Sequence, residues 1–177
     1  AILVEGLRAA GIEDVFVIAE TTHLLKRLVD LNPDVVIIDL ASPSRDTLDA
    51  MLQVSRVVER PVAMFVDQSD SAMIEAAVDA GVSAYIVDGL KKERVKPIVD
   101  MAISRFNAFA RLQAELKAAK TELADRKVIE KAKGILMKQK GLNEAEAYAL
   151  MRTKAMKDSI KLVDLAKSIV TAADLLG

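Results

Sequence analysis

The stretch DVVIIDLASPSRD, residues 34–46, decides the fold because it joins a buried strand to a polar turn and a helix start. Its aliphatic run lacks polar alternation, which is typical of a strand buried on both faces of a parallel sheet. Ser42 and Ser44 follow and supply helix caps. The acidic Asp39 at the strand tip is therefore not needed as a cap, and we interpret it as placed for function.

Three further runs have the same apolar character: DVFVIA (14–19), PVAMFVD (61–67) and AYIVDG (84–89). Helical patterns separate them at 21–31, 44–58 and 70–81. This alternation predicts an α/β domain with a parallel sheet and right-handed crossovers. The chain opens in a helical pattern with Gly11 at its end, so we expect a first strand to be missing from it.

Ligands of open α/β sheets bind at the carboxyl ends of the strands. Asp39, Asp67 and Asp88 all follow or end predicted strands. Residues 1–102 resemble a response-regulator receiver domain, which has the flavodoxin-like fold, with PDVVIIDL matching the phosphoacceptor strand and GVSAYIVDG the last strand. The resemblance implies that Asp39 is the phosphoacceptor and that Mg²⁺ is a cofactor only if Asp39 is phosphorylated.

Two positions depart from the receiver pattern. Val66 stands where the family has a Thr or Ser that hydrogen-bonds the phosphoryl group, and Asp88 stands where it has a Lys. Replacing attraction by repulsion at ~4 Å, with an effective dielectric constant of ~20, changes the interaction energy by several kcal/mol. We therefore expect a pseudo-receiver, in which Asp39 is inactive as an acceptor and control comes from a partner rather than from phosphorylation.

Composition excludes several classes of function. The 177 residues contain no Cys and one His, His23, which is expected to be a surface helix residue. We therefore predict no metal site. No nucleophile–base pair or glycine-rich phosphate loop is present, so no catalytic residue and no enzyme activity is predicted. No apolar run reaches the ~18 residues of a membrane span, which makes a cytoplasmic location the default.

A long helix is predicted from Pro97 to about residue 139, with residues 103–125 as a coiled-coil linker. Apolar residues recur in it at intervals of three and four, close to the ~3.5-residue period of a coiled-coil seam. The predicted homodimer seam consists of Phe106, Phe109, Leu112, Leu116, Ala119 and Leu123.

Positive charge is concentrated beyond this linker. Residues 126–157 contain nine Lys or Arg and three Glu, a local charge of +6 in a chain of net charge −1. Residues 126–177 are predicted to form a small three-helix bundle, whose second helix starts at Asn143 with Glu146 three residues later, as in a capping box. A basic bundle of this kind binds DNA, RNA or an acidic protein.

The blocks AKGILM and EAYALMR within VIEKAKGILMKQKGLNEAEAYALMRTKAM resemble the ANTAR domain, the RNA-binding module of bacterial transcription antiterminators. With the receiver-like part, the chain resembles the NasT type of nitrate/nitrite regulator. The resemblance implies binding of paired hairpins in leader mRNA and sequestration by a nitrate-binding sensor of the NasS type. The candidate RNA-binding residues are Lys127, Lys131, Lys133, Gly134, Tyr148, Arg152 and Lys161, with the lysines outward or at the rim.

Two alternatives remain open at this point. One is a phosphorylation-dependent two-component response regulator that acts on DNA or RNA. The other is a protein-interaction adaptor that binds no nucleic acid. DNA binding by a helix-turn-helix is disfavoured because the second helix begins with NEAEAY, which is acidic where a recognition helix meets phosphate.

Overall fold

The computed structural model describes residues 2–177. The chain divides into two compact units, Ala1–Arg111 and Leu112–Gly177, which are called here the α/β unit and the helical unit. The first contains three parallel strands in the order β1-β2-β3, namely β1 Val36–Leu40, β2 Val62–Val66 and β3 Ala84–Val87. Its helices are α1 Ile2–Ala9, α2 Leu24–Leu31, α3 Arg45–Val57, α4 Ser71–Asp79 and the start of α5 Lys92–Lys140. This arrangement confirms the predicted receiver-like α/β fold class.

Strand β2 is the centre of the α/β unit because all five of its residues are buried. Val62, Met64 and Val66 pack into a cluster with Leu28 of α2, residues of α3 and Ala77 of α4. Ala63 and Phe65 point to the other face and pack with Ile98 and Ala102 of α5. Alternate residues of a strand face opposite sides of a sheet, so an uninterrupted apolar run is what a strand covered on both faces requires.

The predicted strand at residues 14–19 is wrong. The segment has no strand structure, and Phe16 and Val17 are 69% and 71% exposed. The sheet of the described residues 2–177 consists of β1, β2 and β3, and none of these strands pairs with this segment. Apolar, β-branched composition favours a strand, but a strand forms only where a neighbouring strand satisfies its backbone.

Side-chain hydrogen bonds cap the starts of α3 and α4, and of the two predicted serine caps it is Ser44 that caps α3. The Ser44 Oγ accepts a hydrogen bond from the Thr47 N–H at 3.1 Å and begins α3. The Asp70 carboxylate accepts one from the Met73 N–H at 2.8 Å and begins α4. The predicted helix stop at Gly81 is also confirmed, because Gly81 follows α4 with a φ of 80°, a left-handed conformation that glycine adopts without strain. His23 lies exposed just before α2 rather than within it.

The long helix α5 begins at Lys92 instead of Pro97 and runs without interruption to Lys140. Pro97 therefore lies inside it and forgoes one backbone hydrogen bond. The predicted limits of the linker, residues 103–125, stay predictions. The helix α5 crosses both limits without a break. No helix within residues 2–177 combines the length and hydropathy that crossing a membrane requires.

The helical unit is formed by the carboxyl-terminal part of α5, α6 Glu144–Lys157 and α7 Leu162–Leu176. Its core consists mainly of small side chains and one Met: Ala132 and Leu136 of α5, Ala147 and Met151 of α6, and Ala166 of α7. Asn143 caps α6 by accepting from the Glu146 N–H at 2.8 Å, and its own side-chain amide donates to the Glu146 carboxylate at 2.8 Å. The expected three-helix bundle and its capping-box start are thus present.

Candidate nucleic-acid interface

Three lysines and a glycine form one exposed stripe on α5. Lys127, Lys131, Gly134 and Lys138 follow one another at spacings of four, three and four, and all four are exposed. This spacing places them on one side of a helix, opposite the buried Ala132 and Leu136. At 1.5 Å per residue the stripe is about 16 Å long. We call these four residues the lysine stripe.

The lysines of the lysine stripe make few ion pairs with carboxylates of the same chain. Lys131 Nζ lies 3.7 Å from a carboxylate oxygen of Asp174, and both side chains are more than half exposed. Within residues 2–177, Lys127 and Lys138 have no carboxylate oxygen within 4.0 Å. Exposed ion pairs are weak and screened by salt, so Lys131 remains available to a stronger anion. The stripe therefore presents positive charge to the solvent along one side of α5.

Gly134 lies between these lysines and has no role in internal packing. A Cβ added at this position would meet no atom within 4 Å, and the residue has no positive φ. Glycine inside a helix costs about 1 kcal/mol relative to alanine. Neither backbone conformation nor packing within the chain explains that cost, and the space over Gly134 is open to an external group.

Lys133 differs from its predicted position at the outer rim. It is 8% exposed, and its Nζ lies 2.7 Å from Glu130 Oε1 and 3.0 Å from Glu144 Oε1. Hydrogen bonds to Glu130, then to Glu144, raise the pKa of Lys133 above its usual 10.5. The charged form therefore stabilises the fold throughout the neutral range, and this contribution is lost only as the pH rises through that raised pKa. The physical reason for the burial is helical phase, because Lys133 follows the buried Ala132 on the core side of α5.

The remaining candidates lie on α6 and before α7. Tyr148 is 41% exposed, and Arg152, four residues later, is exposed on the same side of α6. Lys133 Nζ lies over the Tyr148 ring, 5.8 Å from its centroid. Lys161 is exposed at the position that precedes α7. The structure thus brings Lys133 and Tyr148 together, with Arg152 one turn away.

Reasoning from the sequence missed two neighbours of the site, and it placed Lys138 outward without naming it as an RNA-binding candidate. Glu130 and Glu144 hold Lys133, and Lys138 completes the lysine stripe. The spacing of three between Glu130 and Lys133 is a readable helix-pair signal, and the spacing of Lys138 continues the stripe. Glu144 carried no such signal because it lies on the next helix.

The predicted dimer seam is exposed along most of its length. The side chains of Phe109, Leu112, Leu116 and Leu123 are each exposed by half or more. Ala119 is exposed as well, and Phe106 is partly buried. Four large apolar side chains at coiled-coil spacing without cover in the chain are the surface that a second helix would bury.

The acceptor edge of the α/β unit, defined by Asp39, Val66, Asp67 and Asp88, is acidic. The three Asp residues are exposed, whereas Val66 is 3% exposed at the end of β2. Asp88 has a φ of 47°, and its N–H donates to the Val66 carbonyl at 2.9 Å. Among residues 2–177 no group of three or more His, Asp or Glu side chains is placed to hold a metal ion. The described residues by themselves therefore supply no complete carboxylate set for the Mg²⁺ that the receiver resemblance implies.

Comparison with known proteins identifies a domain within the part of the chain that contains the helical unit. The model of the ANTAR domain matches residues 117–170, which include the lysine stripe, α6 and most of α7. The transcriptional regulatory protein PdtaR of Mycobacterium tuberculosis is 30% identical over 154 residues, covering 87% of this chain and 75% of that protein. The chain belongs to the ANTAR family of response regulators. The predicted family membership is confirmed, and the family is regulatory rather than enzymatic.

A second relative of this ANTAR regulator is the nitrate regulatory protein of Klebsiella oxytoca. It is 30% identical over 80 residues, which are 45% of this chain and 20% of that protein. The match to PdtaR extends over far more of the chain than the ANTAR domain does, so it includes residues of the α/β unit.

Proposed function

We propose that this ANTAR regulator binds RNA and prevents transcription termination by holding paired hairpins in a leader mRNA. The observation that carries the proposal is the lysine stripe, which places three lysines and an unobstructed glycine on one exposed side of α5 within the ANTAR domain. Phosphate contacts supply most of the affinity for nucleic acid, and bases in loops supply specificity.

RNA is favoured over DNA by the start of α6. A recognition helix approaches the major groove with its first residues, but Glu144 and Glu146 occupy the first turn of α6. Their negative charge opposes entry between two phosphate backbones. Hairpin loops offer unpaired bases that need no groove insertion, and Tyr148 and Arg152 have the planar groups on which such bases stack.

Dimerisation supports the pairing of two hairpins. The exposed apolar side chains from Phe109 to Leu123 fit a coiled coil formed with a second copy of the chain. Two linked binding units gain about 10²–10⁴-fold in affinity for an RNA with two sites when geometry allows both to bind. A homodimer thus selects a leader with two hairpins over one with a single hairpin.

We further propose that a partner protein, a nitrate-binding sensor of the NasS type, controls this regulator in the cytoplasm, rather than phosphorylation. Support comes from the acceptor edge, where the buried Val66 has no hydroxyl and Asp88, after β3, adds an exposed negative charge on the far side of β2 from Asp39's strand. A role in nitrate/nitrite assimilation is supported by the name of the Klebsiella oxytoca relative, which is a nitrate regulatory protein.

A gel-shift assay with leader RNA that contains two hairpins, one hairpin or none tests the proposal. We expect the two-hairpin RNA to bind about 10²–10⁴-fold more tightly than the one-hairpin RNA. Equal affinity for both, or no binding to either, contradicts the model. The adaptor alternative would be favoured if a variant with Lys127→Ala and Arg152→Ala retained antitermination in cells. The phosphorylated regulator would be favoured if acetyl phosphate labelled Asp39.

A further inference from the structure

Resting on the RNA-binding function proposed above, we infer that Tyr148 is the stacking platform for an unpaired loop base and that Lys133 is the positioning residue that holds its ring. Lys133 is then not a phosphate contact, although it belongs to the basic part of the chain. The inference assigns base recognition to α6 and phosphate binding to the lysine stripe of α5.

The charge of Lys133 is already matched inside the protein. Its ammonium group lies within 3.0 Å of one carboxylate oxygen from Glu130 and one from Glu144. Both Glu side chains are more than half exposed, whereas that of Lys133 is 9% exposed. An approaching phosphate therefore meets two carboxylates before it reaches the cation, and like charges repel at that range.

The same ammonium group lies over the ring of Tyr148, 5.8 Å from its centroid, which is within the range of a cation–π contact. Glu144 begins α6 and Glu130 precedes Lys133 on α5, so the cluster ties the start of α6 to α5 beside the ring. A ring held in this way loses little conformational freedom when a ligand binds, which favours affinity.

Tyr148 is also the single aromatic residue in the sequence from 112 to 177. It is 41% exposed, while the core of the helical unit is formed by aliphatic side chains and Met151. If a loop base stacks on an aromatic ring of this unit, the ring must be that of Tyr148. Arg152, one turn along α6, supplies hydrogen-bond donors for the edge of the same or the next base.

The experiment uses the full chain and synthetic RNA hairpins that share one stem and carry randomised loops, with a fully paired RNA of equal length as reference. Tyr148→Phe retains the ring and is expected to keep the preference for hairpins. Tyr148→Leu retains apolar bulk without a ring and is expected to weaken hairpin binding about 10–100-fold, with little effect on the paired RNA. An unchanged hairpin affinity of Tyr148→Leu overturns the stacking role.

Lys133→Met is expected to reduce hairpin affinity as Tyr148→Leu does, without changing the slope of log affinity against log salt. A phosphate contact would instead lower that slope by about 0.7–0.9. The double variant should bind no more weakly than Tyr148→Leu, and Lys133→Arg should restore part of the affinity. A lowered slope, or additive losses in the double variant, overturns the positioning role.

A readout without RNA separates this inference from the proposed function. In a Tyr85→Phe background Tyr148 is the sole tyrosine, so acrylamide quenching of tyrosine fluorescence reports its exposure. We expect Lys133→Met to raise the quenching constant of Tyr148 about twofold. Glu144→Gln preserves side-chain volume and serves as the second variant if Lys133→Met fails to fold. We expect it to raise the quenching constant less. Unchanged quenching in a folded variant overturns the positioning role, and absence of RNA binding by the wild type overturns the stacking role.

Discussion

The acceptor edge and the lysine stripe are the two candidate sites for phosphate groups in this chain, and their charges are opposite. The acceptor edge has three exposed aspartates around a buried valine, while the stripe has three exposed lysines around a glycine. The α/β unit therefore combines a sheet of the receiver type with an acidic acceptor edge. The comparison teaches that a backbone fold does not fix the charge of a site, which depends on the side chains placed there.

A second contrast lies within the positively charged segment 126–157, the basic block of the chain. Lys127 and Lys133 are six residues apart on one helix, and a count of charges treats them alike. The first is exposed, while the second is buried between two glutamates. Six residues correspond to about 600° of helical rotation, so the two side chains lie on different sides. Phase along α5, rather than charge, decides which lysines can reach a ligand.

Breaking the exposed seam should have the largest effect on the affinity for two-hairpin RNA. We expect Leu116→Lys with Leu123→Lys to abolish dimerisation and to reduce affinity for two-hairpin RNA about 10²–10⁴-fold, because avidity is lost. Binding to one-hairpin RNA should remain. Analytical ultracentrifugation and filter binding measure the two quantities. The control is Leu175→Lys with Leu176→Lys, two exposed leucines off the seam; a seam variant that still dimerises would contradict the prediction.

Removing the lysine stripe should come next in size. We expect Lys127→Ala, Lys131→Ala and Lys138→Ala together to lower affinity for hairpin RNA about a hundredfold, at about 1 kcal/mol for each lost contact. The salt slope should fall by about 2–3. Titrations at several salt concentrations measure both.

The matched control for the stripe comes from the other unit. Lys26, Lys91 and Lys92 are exposed lysines of the α/β unit. Their triple alanine variant changes the net charge of the chain equally and should leave the salt slope unchanged. Equal loss in both variants would show that total charge, and not the stripe, determines binding.

Reversing the charge at one position of the acceptor edge tests the comparison from the side of the α/β unit. We expect Asp88→Lys with Val66→Thr to raise labelling by acetyl phosphate about tenfold over the wild type, since a cation and a hydroxyl replace repulsion and an inert side chain. Intact-mass spectrometry measures the phosphoryl adduct. Adding Asp39→Asn should abolish it. Strong labelling of the unmodified chain would refute the view of this edge as unable to hold a phosphoryl group.

Gly134→Ala should produce the smallest effects, and stability and RNA affinity should change in opposite directions. We expect the free energy of unfolding to rise by about 1 kcal/mol, because alanine favours the helix and the added Cβ meets open space. Affinity for hairpin RNA should fall several-fold, because the new methyl group stands between the lysines. Chemical denaturation and filter binding check both signs.

Gly141→Ala is the control for Gly134→Ala. Its φ of 64° strains any side chain, so the same substitution should destabilise the protein. It lies beyond the lysine stripe and should leave RNA affinity unchanged. A Gly134→Ala variant that binds RNA as tightly as the wild type would remove the argument for close approach at this position.

The sequence by itself determined those features that depend on neighbouring residues. The caps at Ser44 and Asn143 and the stop at Gly81 were readable because each acts within one helical turn. The strand-helix alternation and the basic block were also readable, and AKGILM and EAYALMR identified the family. Strand β2 was predictable because its unbroken apolar run is typical of a strand covered on both faces, and in the fold both β1 and β3 pair with it.

Only the tertiary structure decided what depends on distant partners. Residues 14–19 have the composition of a strand, but no strand within residues 2–177 pairs with them. Lys133 has the charge of an RNA-binding residue, but Glu144, on another helix, holds it beside Tyr148. The physical reason is common to both cases: backbone pairing and burial are satisfied by groups that the fold brings together, and their distance along the chain conceals them from any local pattern.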